Sequence, residues 1–111
     1  MDGRATAWTI LLIAGILEIV WAAAMKRSQG LTRVCPTAVM VAAMAASVLL
    51  LAWSMRVLPL GTAYVVWTGI GALGAFVVGI LWFGECVSIV RLVAAALIII
   101  GLALMKFATS F

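Results

Sequence analysis

Glu18 is a lone carboxylate inside an otherwise uncharged stretch, Ala5 to Met25, that is long enough to cross a bilayer. Roughly 20 apolar residues span the hydrocarbon layer. An ionised carboxylate near its centre costs at least about 2.5–3.5 kcal/mol on insertion scales, so it faces a cavity or a partner. At helical spacing, Gly15, Trp21 and Ala22 share its face (i−3, i+3, i+4). The small residues leave room beside the carboxylate, and the indole supplies a wall and an N–H donor. The plainer reading is a structural Glu paired inside a helix bundle. The chemistry of the face favours a site for a cation or a proton.

Other residues are candidates for the same space. Ser47 falls in the middle of a second apolar run. A membrane Ser often bonds its own i−4 carbonyl, but this one has roughly the depth of Glu18, where its hydroxyl could hold a carboxylate. Tyr64 and Trp67 are i,i+3 neighbours in a third run and can present two aromatic surfaces to a cation. Trp8, Trp53 and Trp82 lie near the ends of apolar runs and read as interface anchors. Gly69-Ile-Gly71-Ala-Leu-Gly74 has the spacing of a dinucleotide-binding fingerprint, but it has neither a preceding strand nor a following ribose-binding acid. It reads instead as a place for a bend, while Gly71, Ala75 and Gly79 form a small-xxx-small ridge for close helix packing.

The elements that position these residues are set by composition. The chain has 111 residues, 68% hydrophobic and 9% charged, with mean hydropathy +1.39. Soluble domains carry about 25% charged residues, so this is an all-α integral membrane protein. We expect one transmembrane domain over residues 1–111 with four helices at about 5–25, 36–55, 62–83 and 87–105. Ser28 to Arg33 makes a polar turn with Gly30 in a left-handed position, Pro36 sits in a first helical turn, and Pro59-Leu-Gly61 marks a tight turn. Short loops make consecutive helices antiparallel neighbours. Arg4 and the first apolar run resemble a cleavable signal, but Glu18 interrupts the run and more membrane follows, so the segment is expected to be retained. The fourth span carries no ionisable group at mid-membrane and reads as a packing or dimer helix.

Charge and chemistry exclude several classes. The seven basic residues are scattered, which argues against nucleic-acid binding. There is no His, and Cys35 and Cys86 are far apart, so neither a metal, a cofactor nor a catalytic group is expected, and the protein is not read as an enzyme. Arg4, Arg56 and Lys106 fall on one side of the membrane; Lys26, Arg27, Arg33 and Arg91 fall on the other. That near-balance of three against four leaves orientation open between one fixed topology and insertion both ways. Insertion both ways would permit an antiparallel homodimer, which supplies two carboxylates and the inverted symmetry on which alternating access is commonly built.

Taken together, Glu18, Trp21-Ala-Ala-Ala-Met-Lys26, Pro59-Leu-Gly-Thr-Ala-Tyr64-Val-Val-Trp67-Thr-Gly-Ile-Gly71 and Phe83-Gly-Glu85 resemble the small multidrug resistance family. Within it the chain is similar to the guanidinium-exporting subtype, over essentially its whole length. The resemblance implies an antiparallel, dual-topology homodimer in a bacterial inner (plasma) membrane, with Glu18 as the shared proton and substrate site. Gly15, Trp21, Ser47 and Trp67 would line the pocket, Tyr64 would gate it, and Lys26 would close the first-helix signature. The multidrug subtype has Gly-Thr where this chain has Trp21-Ala22. Gln29, where the family often has an acid, and Cys35 beside Pro36 depart from the pattern in loop regions. The implied activity is proton-coupled export of guanidinium and small monosubstituted relatives. Guanidinium stays charged and can donate two parallel N–H bonds to one carboxylate. Loss of water disfavours the charged form of a carboxyl group, so proton and cation can compete for it. Two other readings are a broad exporter of quaternary ammonium compounds on the same fold and a small non-transporting membrane subunit.

Overall fold

The computed structural model describes residues 3–108. They form four helices: α1 (Gly3–Arg27), α2 (Val34–Ser54), α3 (Leu60–Trp82) and α4 (Ile89–Ala108). Each is long and apolar enough to cross a membrane, which makes the chain a four-span membrane protein. The helix ends differ from the expected ones by two or three residues at most positions. α2 begins at Val34, so Pro36 is its third residue and not its first. That position still lies among the first four N–H groups, which have no partner inside the helix, so the ring removes no helical hydrogen bond.

The loops are held by specific bonds. After α1 the backbone turns through Gln29, Gly30 and Leu31, all at positive φ (51°, 75° and 69°). Two of these are not glycine, and a left-handed side chain needs compensation. Buried Ser28 supplies it. Its hydroxyl donates to the Met25 carbonyl (2.6 Å) and accepts from the Leu31 N–H (3.0 Å), while its carbonyl accepts from the Thr32 and Arg33 amides (2.9 and 3.0 Å). At the other end of α3, Gly84 takes φ 67° and turns the Glu85 N–H back onto the Gly79 carbonyl at 3.0 Å.

Packing does not follow chain order. α1 lies against both α2 and α3, α2 and α3 meet only slightly, and α4 touches α3. The first helix, not the second, is the centre because its small residues let two neighbours approach. Ala7, Leu11 and Ala14 (i, i+4, i+7) are buried along one stripe, in one cluster with Leu51 of α2, Leu58 of the following loop and Ala63, Val66 and Trp67 of α3. Lipid offers little hydrophobic drive for helix association, so such close van der Waals contact carries much of it. At Gly15 an added methyl would lie 2.7 Å from Ile70 Cγ2, so the bare backbone of α1 is the surface on which that α3 side chain rests. α4 buries none of its described residues. Near its end, Lys106 Nζ lies 5.2 Å from the centre of the Trp8 ring.

Candidate functional site

Glu18 sits on the stripe of α1 that faces α3, half-buried. Its seat is Gly71. A methyl group at Gly71 would run into the Glu18 carboxyl, Oε1 first, and would lie 2.8 Å from Cγ. The next residue, Ile19, occupies the equivalent space over Gly74, and Gly69 faces away toward Leu102 of α4. The three glycines of the fingerprint-like run therefore admit three different side chains from two helices, and one of those is the membrane carboxylate.

Glu18 Oε1 and Trp21 Nε1 are both buried and lack a hydrogen-bond partner among the described residues. One is an acceptor and the other a donor, three residues apart on one helix. Buried polar groups are nearly always paired, and these two are exceptions among the described residues.

Ser47 departs from the expectation that it holds the carboxylate. Its hydroxyl, fully buried, donates to the Ala14 carbonyl of α1 at 2.6 Å. It accepts in turn from the Trp67 indole N–H at 3.0 Å. It does not bond its own i−4 carbonyl either. One side chain thus ties α1, α2 and α3 together, one helical turn from Glu18. The reason is geometric: Ser47 points at the close α1 crossing, where Ala14 leaves its backbone oxygen within reach. Trp67 is consequently buried and fixed by its N–H, and Tyr64 stacks on it with ring centroids 5.5 Å apart at 48°. Tyr64 itself is 52% exposed and borders an apolar cleft of about 560 Å3 between α3 and α4, which Glu18 does not line.

Of the residues singled out in the sequence, Glu18 and Trp21 lie together on α1 with Gly71 opposite. Ser47 and Trp67 form a bonded bridge beside them, and Gly15 packs on Ile70 instead of opening space at the carboxylate. The sequence reads Gly71 as a bend and packing residue, and the structure makes it the seat of the Glu18 side chain. Its position four residues after Trp67 and seven after Tyr64 puts it on their face of α3, a signal that could have placed it at the site. Ala14 carried no side-chain signal because its contribution is a backbone oxygen. Cys35 and Cys86 are exposed free thiols.

Four membrane-length helices with one carboxylate seated in the α1–α3 crossing describe a small four-span membrane protein. The model of the small multidrug resistance protein family matches residues 6–99, and the chain belongs to that family. It is 50% identical over 103 residues to proteins named guanidinium exporter from Citrobacter freundii, Salmonella typhimurium and Escherichia coli (strain K12). In each case the match covers 93% of this chain and 98% of the relative. Four spans and bacterial relatives make it a multi-pass inner-membrane protein.

Proposed function

We propose that the protein exports guanidinium, and small monosubstituted guanidinium ions, in exchange for protons, with Glu18 as the group both compete for. The observation that carries this reading is the unpartnered acceptor of Glu18 beside the unpartnered indole donor of Trp21, both buried in a membrane helix. A guanidinium ion donates to the carboxylate through its planar N–H fork. The indole N–H is then available to the second carboxylate oxygen, which holds the group in one orientation. The names and identity of the relatives support guanidinium as the cation. Residues 21 and 22, Trp-Ala, distinguish this chain from the multidrug pattern.

Transport follows from competition. A protonated Glu18 has no charge to offer the cation, and a cation-bound Glu18 resists protonation. If the carboxylate faces one side of the membrane at a time, movement of one species in one direction drives the other back. A second copy in the opposite orientation gives the inverted symmetry suited to such alternation. The near-balance of basic residues supports insertion both ways, and the apolar surface of α4, none of whose described residues is buried, supports its use by a second copy.

The deciding experiment uses purified protein in proteoliposomes, reading proton movement driven by a guanidinium gradient and guanidinium binding across pH. Wild type should bind guanidinium more weakly as pH falls, because protons remove the acceptor. Glu18→Gln should lose exchange and bind poorly at every pH. Normal, pH-independent binding in Glu18→Gln would remove the proposed site.

A further inference from the structure

Beyond Glu18 the α1–α3 crossing leads to a small groove whose lining begins one turn on, at Ala22 of α1 and Ala75 of α3. One turn beyond Glu18 on α1 comes Ala22, and a second turn brings Lys26. On α3, Gly71 is followed at the same spacing by Ala75 and Gly79. Ala22, Ala23, Lys26, Ala75, Gly79 and Glu85 are among the residues that enclose a cavity of about 140 Å3 there. That is room for several waters. Its lining is small side chains with Val78 and Phe83, and it carries one cation, Lys26, and one anion, Glu85.

The anion is held loosely. Glu85 rests on Gly79, where a methyl would lie 2.6 Å from its Oε1. Its ion-pair partner is Arg91 of α4, through one contact at 3.1 Å, with the two side chains 42% and 43% exposed. Exposed pairs of this kind contribute little and exchange readily. Arg91 has other holds: it donates to the Cys86 carbonyl at 2.8 Å and lies 5.1 Å from the Phe76 ring centre. Lys26, across the same cavity, has no ion pair among the described residues.

We propose that this groove is the aqueous route between Glu18 and the α3–α4 loop end of the molecule, gated by transfer of the Glu85 carboxylate from Arg91 to Lys26. With Glu85 on Arg91 the mouth is open. With Glu85 on Lys26, the pair bridges α1 and the α3–α4 loop across the mouth and closes it. The proposal rests on Glu18 being the exchange site, but its test reads the groove directly.

Ala75→Cys, in a background with Cys35→Ser and Cys86→Ser, places a thiol on the groove wall. Its reaction with a small cationic methanethiosulfonate reports access in the purified, folded protein. Glu85→Gln cannot close the mouth, so labelling should be faster than in the parent. Lys26→Gln should behave likewise. Arg91→Gln releases Glu85 to Lys26, so labelling should be slower. Each change should reach up to about fivefold, the population shift an exposed ion pair can produce. The opposite signs are the signature. If Glu85 and Arg91 merely clamp the loop, their removal shifts labelling in the same direction, and that result overturns the gate. An unreactive Ala75→Cys overturns the route itself. Glu18→Gln should leave labelling at the parent rate, so normal guanidinium exchange in that variant would count against the Glu18 reading and not against the groove.

Discussion

Gly71→Ala isolates the seat of the carboxylate with the smallest possible change. The added methyl would collide with the Glu18 carboxyl and come within 2.8 Å of its Cγ. Cγ is not the free end of a flexible chain, so the whole side chain must swing off α3. In stability the change is nearly neutral. Ala is favoured over Gly in a helix interior by about 0.8–1 kcal/mol, and forcing Glu18 from its rotamer costs about 0.5–1.5 kcal/mol. In function it is not neutral. A displaced carboxylate no longer meets the substrate with both oxygens, and a hydrogen bond to a charged group contributes about 1.5–3 kcal/mol. Guanidinium affinity should fall about ten- to a hundredfold with little change in the unfolding midpoint. Calorimetric binding to purified protein, beside thermal unfolding in the same detergent, measures both. Wild-type affinity in Gly71→Ala would show that the α1–α3 seat does not orient the carboxylate. A large loss of stability would show that the methyl disrupts the crossing and not the side chain.

Ser47→Ala should destabilise the protein by about 1–3 kcal/mol, because it strands the buried Trp67 N–H and leaves the Ala14 carbonyl without its side-chain donor; Ser47→Thr, which keeps the hydroxyl, should recover part of that in thermal unfolding. Trp21→Gly removes an indole wall and a donor together, so guanidinium transport should weaken by about tenfold or more and quaternary ammonium ions should gain in side-by-side proteoliposome uptake. If wild type already moves tetra-alkyl ammonium far better than guanidinium, the substrate assignment fails. Dual topology is testable with the native thiols: Cys35 and Cys86 flank the two loops on one membrane side, so an impermeant reagent should label about half the chains in intact cells, as equal insertion both ways implies. Complete labelling or complete protection indicates a single orientation.

The four spans were legible in composition because a membrane helix must be apolar along its whole length, and that requirement leaves a mark on every residue. Glu18 was legible for the converse reason: a charge in such a run is costly enough to demand a purpose. Gly30, too, was readable as left-handed, but its neighbours Gln29 and Leu31 were not, since their positive φ depends on the Ser28 bonds that hold the turn. The tertiary structure alone decided which helix sits in the middle. Chain order suggested α2 beside α3, whereas the stripe of α1 admits both and leaves α2 and α3 in only slight contact. It alone decided what Ser47 does, because a hydroxyl's partner is set by the nearest acceptor after packing, here a backbone oxygen of Ala14 that no side-chain pattern announces. The same holds for Gly71: sequence shows that a small residue is there, and only the α1–α3 crossing shows that the space it leaves belongs to the Glu18 carboxylate.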